Sequence, residues 1–121
     1  MQEKFKLKTD KYRKARGGYS RFLNLYCSSC KSHLLLYQKD GPGPLKRAYL
    51  DRIIAPKILS LYQHEKLIKV PNLACMKCGI IVGTPYIYAK EKRSAFLLNP
   101  SAFFKKVGKG IYPPVLKDII K

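Results

Sequence analysis

Apolar and polar positions along this chain change rhythm several times. From Tyr19 to Lys39, aliphatic and aromatic runs flank Cys27-Ser-Ser-Cys30, a pattern that predicts strand, tight turn and strand. Asp40-Gly-Pro-Gly-Pro44 then interrupts regular structure, because Gly and Pro together punctuate it. Pro44 suits a first helical position. After it, Leu45, Tyr49, Leu50, Ile53 and Ile54 recur at helical spacing, with Lys46, Arg47, Asp51 and Arg52 opposite. That periodicity predicts a helix over 44–56, ended by Pro56. Ile58, Leu59, Leu61 and Tyr62 fit a strand and a helical turn equally well. Asn72 to Val82 repeats the approach, cysteine pair and departure of the first half. Beyond it, Gly83-Thr-Pro85 reads as a turn, Tyr86 to Lys90 and Ala95 to Leu98 as strands, and Ala102 to Phe104 as a short helix after Asn99-Pro100. The two cysteine stretches resemble each other locally, but no long-period repeat is visible.

Both ends are polar and basic. Residues 1–18 carry Lys4, Lys6, Lys8, Lys11, Arg13, Lys14 and Arg16, with only Phe5, Leu7 and Tyr12 as sizeable apolar groups, and read as a basic arm that orders against phosphates. Residues 105–121, starting at Lys105-Lys106, read as a second basic tail with a small apolar cluster at Val115, Leu116, Ile119 and Ile120. Between them, 19–104 forms the expected core.

The chain has 121 residues, enough for one domain and too few for a second independent core. Its 25 Lys plus Arg stand against 7 Asp plus Glu, for a formal net charge of +18. Self-repulsion on that scale calls for a polyanionic partner. Nucleic acid is the leading candidate, since cations that neutralise phosphates release condensed counterions and supply most of the sequence-independent affinity. No stretch approaches the roughly 18–20 consecutive apolar residues of a membrane span. The first residues, Met1-Gln-Glu-Lys-Phe-Lys6, lack the apolar run of a secretory leader. The expectation is a soluble, cytoplasmic protein without a membrane partner, in a compartment where paired cysteines signal metal or redox chemistry rather than structural disulfides.

All four cysteines fall in two C-x-x-C pairs, Cys27/Cys30 and Cys75/Cys78. Two thiolates in such a turn converge on one cation while nearby backbone N–H groups support the sulfurs, and two turns complete a tetrahedron suited to zinc. Gly79, directly after Cys78, permits a positive φ where the chain leaves the turn. A dithiol–disulfide role fits less well, because neither pair opens a helix in a βαβ setting. An iron–sulfur cluster is the lesser metal alternative. His33 and His64 could stand in for a ligand, but four cysteines already fill the shell. These residues resemble the zinc-ribbon superfamily, over about 22–38 and 72–90. The resemblance implies two hairpin-tip knuckles clasping one structural zinc through Cys27, Cys30, Cys75 and Cys78. The chain departs from it in having Lys31 rather than Gly after the first pair, and in the insertion with its expected helix. The expected fold class is a small α+β protein: zinc-ribbon-like antiparallel hairpins, a helical insertion and basic terminal extensions.

Four thiolates leave no open coordination position, so the metal should be structural rather than catalytic. The seven carboxylates, Glu3, Asp10, Asp40, Asp51, Glu65, Glu91 and Asp118, form no pair close in sequence. Gly41-Pro-Gly-Pro44 lacks the Lys and Ser/Thr of a phosphate-binding loop. The expectation is no enzyme and no small-molecule substrate.

Basic residues interleave with tyrosines in Lys11-Tyr12-Arg13-Lys14, in Tyr19-Ser-Arg21, and from Tyr86 and Tyr88 to Lys90, Lys92 and Arg93. Cations would hold phosphates and exposed rings would stack on unpaired bases. Tyr86 and Tyr88, alternating on one strand, fit packing better than stacking. The candidate nucleic-acid contacts are Lys4, Lys6, Lys8, Lys11, Arg13, Lys14, Arg16, Arg21, Lys92, Arg93, Lys105 and Lys106. The leading expectation is a non-catalytic RNA-binding protein, a structural component or companion of a ribosome, with rRNA and ribosomal proteins as partners. One alternative is a DNA-binding zinc ribbon of transcription or of a mobile element, whose arm lies in a minor groove. Another is a protein–protein adaptor docking through the helix from Leu45 to Ile54.

Overall fold

The computed structural model of the protein describes residues 2–114; the expected apolar cluster at Val115, Leu116, Ile119 and Ile120 lies outside the described residues. The fold is two four-stranded antiparallel sheets and one short two-stranded ribbon. In chain order the elements are β1 (Glu3–Lys4), α1 (Lys11–Ala15), β2 (Ser20–Cys27), β3 (His33–Asp40), β4 (Arg47–Tyr49), β5 (Ile53–Ala55), α2 (Lys57–Ser60), β6 (Leu73–Ala74), β7 (Ile81–Tyr88), β8 (Arg93–Leu98), β9 (Phe103–Gly108) and β10 (Ile111–Tyr112). Short 3-10 turns occupy Leu50–Arg52, Leu61–His64 and Leu67–Lys69. Among the described residues α-helix is confined to two pieces of one turn or little more, so the described fold is mainly antiparallel β.

The first sheet has the order β5-β3-β2-β9 and the second β4-β8-β7-β6. Each cysteine pair sits between two neighbouring strands, Cys27/Cys30 between β2 and β3 and Cys75/Cys78 between β6 and β7. The halves then exchange strands: β4 leaves the first cysteine hairpin to pair with β8, and β9 leaves the second to pair with β2. An offset of 48 residues carries Cys27 onto Cys75, Cys30 onto Cys78, and His33–Asp40 onto Ile81–Tyr88. Ala48 also faces Phe96 across the β4–β8 ladder, its own counterpart at that offset. The backbone thus carries an approximate two-fold relation that the side chains conceal, since Leu34-Leu-Leu-Tyr37 corresponds to Val82-Gly-Thr-Pro85.

Burial explains the difference. The main core lies between the sheets, with Leu23, Leu25, Leu35 and Tyr37 from the first meeting Ala48, Val82, Phe96 and Leu98 from the second. The far face of the first sheet is covered too, where Phe22, Leu36 and Ala55 meet Phe5, Leu7, Ile54 and Tyr112. A strand buried on both faces reads as a continuous apolar run, which accounts for Leu34 to Tyr37. The strand β7 is less covered: only Val82 and Gly83 are buried, while Ile81, Thr84 and Ile87 are exposed, so no continuous apolar run is required there.

Several expectations are corrected here. The helix over 44–56 does not form; those residues are β4, a 3-10 turn and β5. Ala48, Tyr49, Leu50, Arg52, Ile53 and Ala55 are all buried, so the segment has no solvent face for a helix to present, and Arg52, assigned to the polar side, points inward. Gly83-Thr-Pro85 is no turn but the middle of β7. A Cβ at Gly83 would sit 3.1 Å from the Leu97 carbonyl oxygen, so glycine permits the close approach of β7 to β8. Pro85 stands beyond the reach of β6, where β7 has β8 on one side only, the edge setting that proline tolerates. Ala102 to Phe104 enters strand β9 instead of a helix, and Lys105 and Lys106 continue that strand beside β2 rather than opening a tail. Nor do residues 3–16 stand free as an arm: Glu3–Lys4 pairs with Ile111–Tyr112, and Lys8 and Gln38 exchange hydrogen bonds of 2.6 and 2.9 Å.

Two buried arginines fasten these segments. Arg52 donates from Nε to Asp40 Oδ2 at 2.7 Å and from a terminal nitrogen to Asp10 Oδ1 at 2.6 Å. The same Asp10 oxygen accepts from the backbone N–H groups of Tyr12 and Arg13, capping α1. Arg93 donates to Asp51 and Glu91 at 2.7 and 2.9 Å and lies 3.8 and 3.6 Å from the ring centroids of Tyr12 and Tyr49. Desolvation offsets much of the Coulomb attraction in such pairs, so their net contribution is small while intact, but removing one partner strands a buried charge. Asp40→Ala is therefore expected to destabilise the folded protein by about 3 kcal/mol, measured by denaturant unfolding with metal present; a loss below about 1 kcal/mol would contradict the network. The hydrogen bond from Arg52, aided by two backbone N–H groups, holds the Asp10 carboxyl down at about 2. Its folded value lies below its unfolded value of about 3.9, so this contribution is present above pH 4 and is lost as pH falls from about 4 to about 2.

Candidate metal centre and basic surface

The two C-x-x-C turns are built alike. Cys27 N–H donates to the Ser32 carbonyl at 2.9 Å and Lys31 N–H to the Cys27 carbonyl at 2.9 Å. In the second turn Cys75 N–H donates to the Ile80 carbonyl at 2.9 Å and Gly79 N–H to the Cys75 carbonyl at 2.8 Å. Both turns leave through a left-handed residue, Lys31 at φ 66° and Gly79 at φ 80°. The first adopts this conformation without glycine: Lys31 reaches back to the Ser28 carbonyl at 2.6 Å and lies 5.5 Å from the Phe104 ring, contacts that offset part of the backbone cost.

The four Sγ atoms lie within 4.8 Å of one another. The pairs Cys27–Cys78 and Cys30–Cys75, related by the two-fold, are 3.6 and 3.5 Å apart. The edge of a sulfur tetrahedron around a zinc ion with bonds of 2.3 Å is about 3.8 Å, so this donor set fits one tetrahedral thiophilic cation. All four thiols are free, with Cys27 and Cys75 buried against the core and Cys30 and Cys78 exposed. Ser32 Oγ lies 3.0 Å from Cys30 Sγ and 3.2 Å from Cys75 Sγ, a hydroxyl placed to donate to ligating thiolates.

Thiol acidities differ around the site. Cys30 is lowered, first by the Ser32 hydroxyl and then by the Ser32 backbone N–H. At Cys75 burial opposes ionisation, but the Ser32 hydroxyl and the N–H groups of Cys78 and Lys77 outweigh it and hold the thiol at about 6. At Cys78 the Ile80 N–H favours the thiolate, yet burial and the three neighbouring thiols push it up to about 11. Four sulfurs so close cannot all ionise without a cation, and binding one releases the remaining protons.

His33 is not part of the cluster. Its Nε2 lies 2.8 Å from Asn24 Oδ1, its ring packs on Tyr26 and Tyr112, and burial pulls its pKa down to about 4. His64 is exposed in a 3-10 turn. Among the described residues, the only group of three or more His, Cys, Asp or Glu placed to hold a metal is these four cysteines.

The expected nucleic-acid contacts divide into three sets. Lys4, Lys6, Lys11, Lys14, Lys92 and Lys105 are exposed. Arg13, Arg16, Arg21 and Lys106 are half-buried. Arg13 donates to the Gly18 carbonyl, Arg16 to Glu91 at 2.7 Å, and Arg21 to the Gly41 carbonyl while lying 5.6 Å from the Tyr19 ring; Lys106 lies 6.0 Å from the Tyr26 ring. Lys8 and Arg93 face inward: the Lys8 amine donates to the Asp51 carbonyl, and the Arg93 guanidinium is 4% exposed and held by two carboxylates. Arg93 is therefore corrected from a surface contact to a buried structural cation. Tyr86 and Tyr88 pack as expected, Tyr86 accepting from Arg47 Nε at 2.8 Å and Tyr88 lying 4.0 Å under the Arg47 guanidinium. Arg47 and Arg52 lie outside the expected set; the helical reading places both on a solvent face, whereas Arg47 is half-buried and Arg52 is buried.

Two outcomes test the centre. Lys31→Gly should stabilise the metal-loaded protein by roughly 0.5–1 kcal/mol, because glycine enters the left-handed region without the Cβ penalty; no gain in unfolding midpoint would place that strain elsewhere. Metal titration of the reduced protein should saturate at one zinc equivalent, with cobalt giving the visible bands of tetrahedral thiolate ligation, and Cys75→Ser should abolish those bands. Saturation at no metal, or at full strength without Cys75, would contradict the site. No protein-family model, no curated protein and no solved structure matches this chain.

Proposed function

We propose that this protein is a non-catalytic RNA-binding protein built on one structural zinc, serving a ribosome as a structural component or companion. The zinc-ribbon resemblance belongs to the same reading: two knuckles of equal hydrogen bonding, each between antiparallel strands, support it. Zinc is favoured over other thiophilic ions because an all-thiolate tetrahedron suits it and needs no redox partner.

The observation that carries the RNA reading is how charge is sorted. Of the seven carboxylates, Asp10, Asp40, Asp51 and Glu91 are each paired with Arg16, Arg52 or Arg93. Only Glu3 and Glu65 are exposed among the described residues. Four of the six described carboxylates therefore face cations of the same chain, and a chain of net charge +18 is left with a strongly cationic surface. Such a surface binds phosphates through counterion release. Few exposed rings accompany the cations, Tyr19 being the most exposed aromatic, which favours contacts to the RNA backbone over base stacking. The adaptor reading loses its docking helix, since residues 45–54 are strand and turn within the fold. Among the described residues no helix is long and apolar enough to cross a membrane.

Sedimentation of the tagged protein from native lysate tests the proposal. Co-migration with ribosomal particles that survives high salt and is abolished by nuclease is the expected result for an integrated component. Co-migration only at low salt would reduce it to a peripheral companion held by electrostatics. A protein that stays at the top of the gradient at both salts sinks the ribosomal assignment, and a preference for duplex DNA over structured RNA at physiological salt would move it to the DNA-binding class.

A further inference from the structure

A small open cleft of about 60 Å³ lies beside the Gly41–Pro44 turn, lined by Arg16, Lys39, Asp40, Lys46, Arg47, Tyr49 and the buried Arg52. Its charge is one-sided. Asp40 is the sole carboxylate in the lining, and both its oxygens are engaged: Oδ1 accepts from Ser20 Oγ at 2.6 Å and Gln38 Nε2 at 2.9 Å, and Oδ2 accepts from Arg52 Nε at 2.7 Å. Glu91 pairs with Arg16 from outside the cleft. Every ion pair among the described residues involves Arg16, Arg52 or Arg93. Lys39, Lys46 and Arg47 thus line a concave surface without an ion pair of their own, its one carboxylate, Asp40, being paired with Arg52.

These groups are also held in place. The Arg47 guanidinium lies 4.0 Å over the Tyr88 ring while its Nε donates to Tyr86 Oη at 2.8 Å, which fixes the plane of the fork. The Lys39 amine donates to the carbonyls of Asp40, Gly41 and Pro42, each at 3.3 Å, long contacts that leave it open to a stronger acceptor. Burial lowers the Lys39 pKa, and the nearby guanidiniums of Arg21, Arg16 and Arg47 lower it further while Asp40 raises it. A bound anion would relieve that crowding. An oriented guanidinium beside an ammonium in a concave, single-sign site is the arrangement that takes a tetrahedral oxyanion with several acceptor oxygens.

We propose that this cleft is a phosphate-binding site, and that the phosphate it takes belongs to an RNA backbone; the choice of RNA as the source rests on the function proposed above, whereas the site itself does not. In that role the diffuse basic surface becomes a defined contact at the cleft.

The test uses the full, zinc-loaded chain in three forms: wild type, the cleft variant Lys39→Gln/Lys46→Gln/Arg47→Gln, and an equal-charge control, Lys57→Gln/Lys66→Gln/Lys69→Gln, whose lysines are exposed and do not line the cleft. Binding of a labelled RNA hairpin is followed by anisotropy across salt concentrations, and inorganic pyrophosphate is titrated while backbone amide shifts are recorded. The cleft variant should lose at least tenfold in RNA affinity with a salt slope smaller by about 2, the control should lose clearly less, and pyrophosphate should shift the wild-type amides of residues 39–49. Equal losses in both variants overturn the cleft, as does pyrophosphate that shifts no amide there. Wild-type protein that binds no RNA but shows those shifts keeps the phosphate site and overturns the RNA reading. Zinc content and far-ultraviolet spectra verify folding; if the triple variant fails to fold, Lys46→Gln alone, at an exposed position, should cost about threefold, and no loss overturns the proposal.

Discussion

Four sulfur atoms from two hairpins meet at one point, and the organisation of the rest follows from that convergence. Cys27 and Cys75 belong at once to the sulfur cluster and to the main hydrophobic core, so the centre closes one end of the space between the sheets. Without a cation, four such thiols cannot ionise together, and the sulfur end has only weak thiol contacts to hold it. With one, each hairpin tip is fixed to the other, and the strand exchange of β4 and β9 is anchored where both halves begin. Metal binding energy in a small domain is folding energy, which suits a chain whose core must support two sheets with 121 residues.

Charge is handled by a second device. Two arginines are buried and each is held by two carboxylates, which draws four of seven acidic groups inward and ties α1, β3, the 50–52 turn and the 91–93 turn together. The fold uses its scarce negative charge as internal fastening, and the surface is cationic as a result. Stability and partner choice are therefore coupled through the same residues. The cleft by the Gly41–Pro44 turn lies where the two meet, with both Arg52 and Arg47 in its lining.

The sequence spoke most clearly where covalent chemistry or alternation constrained it. Two C-x-x-C pairs identified the cluster, and the apolar runs around Cys27/Cys30 yielded β2 and β3 at nearly their observed bounds. The segment 44–56 misled because burial on both faces removes any signature of orientation: Leu45, Tyr49 and Ile53 recur every four residues, a helical spacing that two short strands joined by a 3-10 turn also satisfy. Arg52 looked like a surface cation because its partners, Asp10 and Asp40, lie 42 and 12 residues away. The two-fold relation was legible only around the two cysteine pairs; beyond them it lives in hydrogen bonds and register while the matched side chains face different surroundings.

The central claim is that all four cysteines bind a single cation. X-ray absorption of the purified protein with its bound metal measures this directly. The account predicts zinc with four sulfur neighbours at about 2.3 Å and no metal–metal scattering. Nitrogen or oxygen in the first shell, an iron–iron distance, or a metal-free protein with oxidised Cys27–Cys78 and Cys30–Cys75 would contradict it.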